Sequence, residues 1–161
     1  MAYLYKLIPS PVGELKLVAS EKGLVAILWE NDPPERVRLG AMSEDAAHPV
    51  LVEAARQIDA YFAGELKAFD LPLDFHGTDF QKSVWAALLA IPFGETRSYA
   101  EIARAIGRPT AFRAVGAANG KNPISIIAPC HRVIGTNGSL TGFAGGLKAK
   151  ELLLGIEGAL A

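Results

Sequence analysis

The chain's one cysteine, Cys130, stands in the run Pro129-Cys130-His131-Arg132-Val133, directly after the apolar Ile126-Ile127-Ala128. A sulfur nucleophile reacts as its anion, and nearby positive charge favours that form. His131, Arg132 and, upstream, Arg113 supply such charge, and the turn chemistry around the cysteine points to a partly exposed thiol. The plainer reading is a buried cysteine acting as a small hydrophobe; the neighbours shift the balance toward a reactive one. If Pro129 to Arg132 is extended, Cys130 and His131 project to opposite faces. A direct pair of the cysteine-protease kind is then awkward, and an intermediary is needed between sulfur and imidazole.

Such a nucleophile needs a scaffold. In the first thirty residues Leu15 and Leu17 alternate behind the turn Pro11-Val12-Gly13, and GLVAILWE is a continuous apolar run, which together predict a short antiparallel sheet. Residues 31–48 collect turn formers and charges and read as a loop. From His48 the residues Leu51, Ala55, Ile58 and Phe62 recur at helical spacing up to Gly64. LPLDFHG is a last extended segment or a linker, with a boundary near residues 74–77.

Beyond that boundary the chain reads as helical. Thr78-Asp79-Phe80-Gln81 and Ser98-Tyr99-Ala100-Glu101 are capping boxes. The first opens a helix with Phe80, Val84 and Leu88 inward, running to Ile91 and stopped by Pro92-Phe93-Gly94. The second opens YAEIARAI, which ends at Gly107; after Arg108-Pro109 a further helix, about TAFRAVGAAN, runs to Gly120. Two short helices about a glycine-containing turn form a helix-turn-helix pattern. Its second helix is mostly Ala and Gly around Arg113, which suits close approach to a sugar-phosphate surface more than base readout, or else packing against another helix. The expected fold class is α+β: a small N-terminal α/β domain with a short antiparallel sheet over residues 1–75, then a mostly helical domain with the helix-turn-helix over residues 76–161.

Composition narrows the function classes. With 161 residues, half of them hydrophobic, the chain can bury a full core in one domain or two small ones. A single cysteine excludes a disulfide framework and a cysteine-rich zinc site. No window of about eighteen apolar residues occurs, and the N-terminus lacks a signal-peptide pattern. A soluble, cytoplasmic protein without a membrane partner is expected, nuclear if the source is eukaryotic. The net charge of -1 hides an asymmetry: residues 1–96 hold eight Lys or Arg against fourteen Asp or Glu, whereas residues 97–148 hold seven Lys or Arg against Glu101 alone. A basic segment of that length is the footprint of phosphate contacts, or a solvated surface with no partner.

These residues carry a resemblance. FQKSVWAALLAIPFGETRSYAEIA, RAVGAANGKNP, PCHRV, TGFAGGL and KELLLGIEG, in that order, resemble the C-terminal domain of the methylated-DNA–protein-cysteine methyltransferases, or O6-alkylguanine-DNA alkyltransferases, over nearly all of residues 79–158. The N-terminal residues 1–75 resemble the family's variable domain in layout only. The resemblance implies DNA repair by irreversible transfer of an alkyl group from O6-alkylguanine in double-stranded DNA, with O4-methylthymine as a further candidate, to Cys130, the base being flipped out of the helix. It implies that His131 deprotonates Cys130 through a water, that Glu157 orients His131, and that Asn122 braces the active-site turn. It assigns Tyr99 to the phosphate of the extruded nucleotide and to protonation of the leaving guanine. Arg113 would fill the vacated place in the duplex, with Ala114 and Arg132 among the DNA contacts. Val133, Phe143, Ala144 and Ser125 would wall the base pocket, Ser125 at a position where some relatives carry Pro.

An alkylated cysteine is a thioether with no leaving-group activation, so one event spends the protein; the alkyl donor is the DNA, and no cofactor is expected. Some relatives hold zinc in the N-terminal domain, but here that domain has no Cys and only His48 and His76, so no metal is expected. A monomer is expected. The rivals are a non-catalytic lesion-binding protein, a helix-turn-helix transcription factor and a cysteine hydrolase. The presence of Cys130 argues against the first.

Overall fold

The computed structural model describes residues 3–140 and 143–159. The chain divides into two compact units, residues 1–76 and 77–161.

In the first unit β1 (Tyr3–Ile8), β2 (Leu15–Ala19), β3 (Leu24–Trp29) and β4 (Met42–Glu44) form one sheet in the order β3-β2-β1-β4. The first three strands are antiparallel neighbours, as the sequence predicts; β4 joins β1 in parallel from inside the segment expected to be loop. Three residues at a sheet edge carry too short a pattern to be read from sequence. The alternation of Leu15 and Leu17 gives way to burial of Val18 and Ala19 as well, because both faces of β2 are covered. Helix α1 (Pro49–Phe62) packs on the sheet through Leu51, Ala54, Ala55, Ile58 and Tyr61. Val18, Val25 and Ala26 pack with Tyr3, Tyr5, Leu28, Leu39 and Met42. Leu73 bridges to Leu24 in parallel, so LPLDFHG is tied to the sheet. That closure requires glycine at position 23: its φ is 151°, and a Cβ there would stand 2.4 Å from the Pro72 carbonyl oxygen.

The second unit runs α2 (Asp79–Leu89), β5 (Arg97–Ser98), α3 (Tyr99–Ala105), α4 (Phe112–Gly120), a 3₁₀ turn at Cys130–Arg132, β6 (Val133–Ile134) and α5 (Leu147–Ile156). Both capping boxes form in full: Thr78 with Gln81 opens α2, and Ser98 with Glu101 opens α3. Helices α3 and α4 pack on each other and on α2, with Trp85 Nε1 donating to the Ala118 carbonyl at 2.9 Å. The short strands β5 and β6 pair in parallel, Arg97 opposite Val133 and Ser98 opposite Ile134. This pairing fixes the start of α3, hence Tyr99, beside the residues that follow Cys130. No helix among the described residues is long and apolar enough to cross a membrane.

Candidate active site

The segment from Asn122 to Val133 is buried without interruption. It holds its shape through local hydrogen bonds. Asn122 Oδ1 accepts the Ile124 N–H at 3.1 Å, and its Nδ2 donates to the Ala128 carbonyl at 2.8 Å, so one side chain ties both ends of the loop. The Ala128 N–H returns to the Ile124 carbonyl, and the Cys130 N–H to the Ala128 carbonyl. Ile126, inside this loop, has φ 75°, the one non-glycine residue with positive φ among those described. A β-branched side chain there carries strain of about 1–3 kcal/mol, which persists only where the surroundings over-determine the backbone.

The 3₁₀ turn replaces the extended geometry considered from sequence for Pro129 to Arg132, and the Arg132 N–H bonds the Pro129 carbonyl. Cys130 is only 3 % exposed rather than partly open. Next to it His131 is wholly buried, with Nε2 2.7 Å from Glu157 Oε2. A carboxylate only accepts, so the imidazole proton sits on Nε2 and Nδ1 carries a lone pair. Among the described residues nothing hydrogen-bonds Nδ1. Burial, chiefly, pushes the His131 pKa below 6.5; Glu157 pulls it up, and the charges of Arg132 and Lys150 push it down. The imidazole is a neutral base.

Arg132, expected among the DNA contacts, has its guanidinium turned inward. It is buried, its Nε and one terminal nitrogen bonding Glu157 at 2.7 and 3.1 Å and the other donating to the Ile91 carbonyl at 2.6 Å, with the Phe93 ring 5.8 Å away. Its guanidinium is thus held by a buried carboxylate and a backbone carbonyl.

Sequence reasoning passed over Lys150. Its side chain is wholly buried, and Nζ donates to the Val133 carbonyl at 2.6 Å and lies 6.0 Å from the Phe143 ring. Burial lowers its pKa, and its attraction to Cys130 opposes that shift. The signal was available: Lys150 shares the helical stripe of Leu153, Leu154 and Glu157, all buried, and a lysine on an apolar stripe must have a partner inside. The Val133 carbonyl keeps a second lone pair for another donor.

The other anticipated residues fall in two groups. Ser125 is fully buried, and Phe143 and Ala144 are partly buried; Thr141 and Gly142, which begin the TGFAGGL run, lie outside the described residues. Arg113 and Ala114 are exposed on α4, and Tyr99 is half-buried at the start of α3. A Cβ placed on Gly116 of α4 would stand 3.8 Å from the Tyr99 ring, so this glycine lets ring and helix come close. Helix α4 starts at Ala111 with no side-chain cap and no acid in its first turn. Among the described residues no group of three His, Cys, Asp or Glu side chains is placed to hold a metal ion.

A sheet-and-helix unit is followed by a helix-turn-helix unit in which a buried cysteine adjoins a His–Glu pair and a buried lysine. Comparison makes this arrangement specific. The signature described as 6-O-methylguanine DNA methyltransferase, DNA binding domain, matches residues 79–159, and that described as 6-O-methylguanine DNA methyltransferase, ribonuclease-like domain, matches residues 3–75. The chain belongs to the 6-O-methylguanine DNA methyltransferase family. It is 53 % identical to the methylated-DNA–protein-cysteine methyltransferase of Methanosarcina barkeri over 95 % of this chain and 96 % of that one. It is 51 % identical to the Mycobacterium tuberculosis protein of the same name over 95 % of this chain and 91 % of that one. The crystal structure of Mycobacterium tuberculosis OGT in complex with DNA superposes with a TM-score of 0.87 at 48 % identity, covering 99 % of this chain and 94 % of that one.

Proposed function

We propose that this protein repairs DNA by moving an alkyl group from O6 of guanine to Sγ of Cys130, once per molecule. The observation that carries this reading is the buried His131, next in the chain to its one cysteine, locked through Nε2 on Glu157 and with Nδ1 lacking a hydrogen-bond partner among the described residues. His131 Nδ1 takes the thiol proton through a water. Sγ then bonds the alkyl carbon as the bond from that carbon to O6 breaks; the electron pair stays with the guanine, and Tyr99 returns a proton to it. Glu157 balances the imidazolium, and the Lys150 ammonium favours the anionic sulfur. The step balances without a cofactor, and the thioether it leaves is inert.

The rest of the reading concerns access. Asn122 holds the loop, while Val133, Ser125, Phe143 and Ala144 wall the base pocket. O6 is shielded within the stack, so the nucleotide is extruded. Arg113 supports the gap, Tyr99 crowds the phosphate, and Ala114 lets α4 approach the minor groove. Binding and transfer belong to residues 76–161, and residues 1–75 form a separate domain. The protein acts where the chromosome is, in the cytoplasm of a cell without a nucleus and in the nucleus otherwise.

The test is intact mass after incubation with duplex oligonucleotide carrying O6-methylguanine. A gain of one methyl group, about fourteen daltons, on the peptide containing Cys130 is expected, with no turnover beyond one equivalent and no reaction in Cys130→Ala. Methyl on another residue, or repeated turnover, refutes the assignment.

A further inference from the structure

Phe112 opens α4 with 48 % of its surface exposed, and it is the one exposed phenylalanine, tyrosine or tryptophan among the described residues. A ring facing water loses burial energy that every other aromatic side chain in the described chain gains at least in part. Its surroundings name the kind of occupant. Arg104, Arg108, Arg113 and Lys121 are all exposed on α3, the turn and α4. The one acid of this stretch, Glu101, is engaged in capping the Ser98 N–H. An apolar ring set among cations and lacking acids fits a partner that is anionic and yet offers flat apolar faces. A nucleic acid has both; a protein surface complementary to the cations is poor in such faces.

Helix geometry gives the ring a side. Residues 112 and 116 lie on one row of α4, four apart, and Gly116 is the residue facing the Tyr99 ring. Arg113 starts the neighbouring row, with the exposed Ala117 one turn on. Phe112 therefore flanks Arg113 on the Tyr99 side. Consecutive helical positions diverge, so the two side chains cannot enter one gap. We infer that Phe112 is a second, apolar wedge, which seats on the sugar and base of a nucleotide next to the extruded one, on the same strand, while Arg113 occupies the vacated place. The inference rests on the function proposed above and adds to it the residue that holds the flanking nucleotide.

Three variants separate the wedge from plain charge or fold effects: Phe112→Ala, Phe112→Leu and Phe112→Lys, each compared with the intact protein on methylated duplex and on free O6-benzylguanine. The alanine variant should repair duplex about tenfold more slowly, in line with loss of one aromatic–base contact. Leucine should keep most of the rate, and lysine should not restore it. Free O6-benzylguanine needs no extrusion, so all variants should match the parent there. The slope of log affinity against log salt should be unchanged in Phe112→Ala, since no phosphate charge is lost. Parental duplex repair by the alanine variant overturns the inference, as does rescue by lysine, a shallower salt slope, or equal losses on both substrates. Failure of the parent protein to take methyl on Cys130 would instead remove the underlying reading, and the wedge with it.

Discussion

Glu157 Oε2 lies 2.7 Å from His131 Nε2, and neither side chain has any surface in contact with solvent. The same carboxylate also pairs with Arg132 through Nε at 2.7 Å. One buried anion thus sets the tautomer of the base and neutralises the guanidinium beside it. Burial of three ionisable groups is tolerable only while all three are present.

Replacing Glu157 by Gln keeps the shape and removes the charge. Arg132 is then a buried cation without an anion, and stability should fall by about 3–5 kcal/mol. The imidazole also loses its counter-charge, so transfer should slow by about a hundredfold or more at a temperature where the variant is folded. Thermal melting and the rate with free O6-benzylguanine measure the two losses separately. Unchanged melting would mean that Arg132 finds another partner.

Lys150→Met removes a cation from beside Cys130 and the donor to the Val133 carbonyl. The lost hydrogen bond and the relief of a buried charge oppose each other, so the melting temperature should move little. Transfer should drop at least about tenfold, because the anionic sulfur loses its nearest support. The ultraviolet absorbance of the thiolate, followed with pH, should shift upward in pH for the variant. Reaction at the parental rate would show that the ammonium plays no part.

The depressed pKa of His131 bears on both stability and rate. Its folded value lies below 6.5, so well above 6.5 the imidazole is neutral whether the chain is folded or not. As pH falls through 6.5 the unfolded chain takes up a proton that the folded one refuses, and this residue makes stability decline. Reaction with free O6-benzylguanine should therefore hold level through pH 6.5 and fall only below it. An inflection at or above that value would mean an imidazole in contact with water.

Arg113 is exposed on α4, the one long charged side chain of that helix. Arg113→Ala should slow repair of duplex DNA while leaving reaction with free O6-benzylguanine nearly normal, since extrusion costs a few kcal/mol that the free base never meets. Equal loss on both substrates would point to an effect on the thiolate or the fold. Oligonucleotides with the lesion already unpaired should recover most of the rate.

What depends on near neighbours was legible in the residues alone. Two capping boxes, the glycine and proline stops, the helix pair and the nucleophile at Cys130 are written within a few residues, because caps and turns close hydrogen bonds over three or four positions. Where the charges went depended on packing. Glu157 meets His131 across 26 positions and Arg132 across 25, and Lys150 reaches Val133 across 17. A basic residue in a motif looks the same on paper whether it faces phosphate or carboxylate. Arg132 read as a DNA contact and Lys150 passed unnoticed because the choice lies with α5, whose buried stripe brings an anion and a cation against the turn that holds the cysteine. Desolvation, which made each of those pairings obligatory, exists only once the helix has packed.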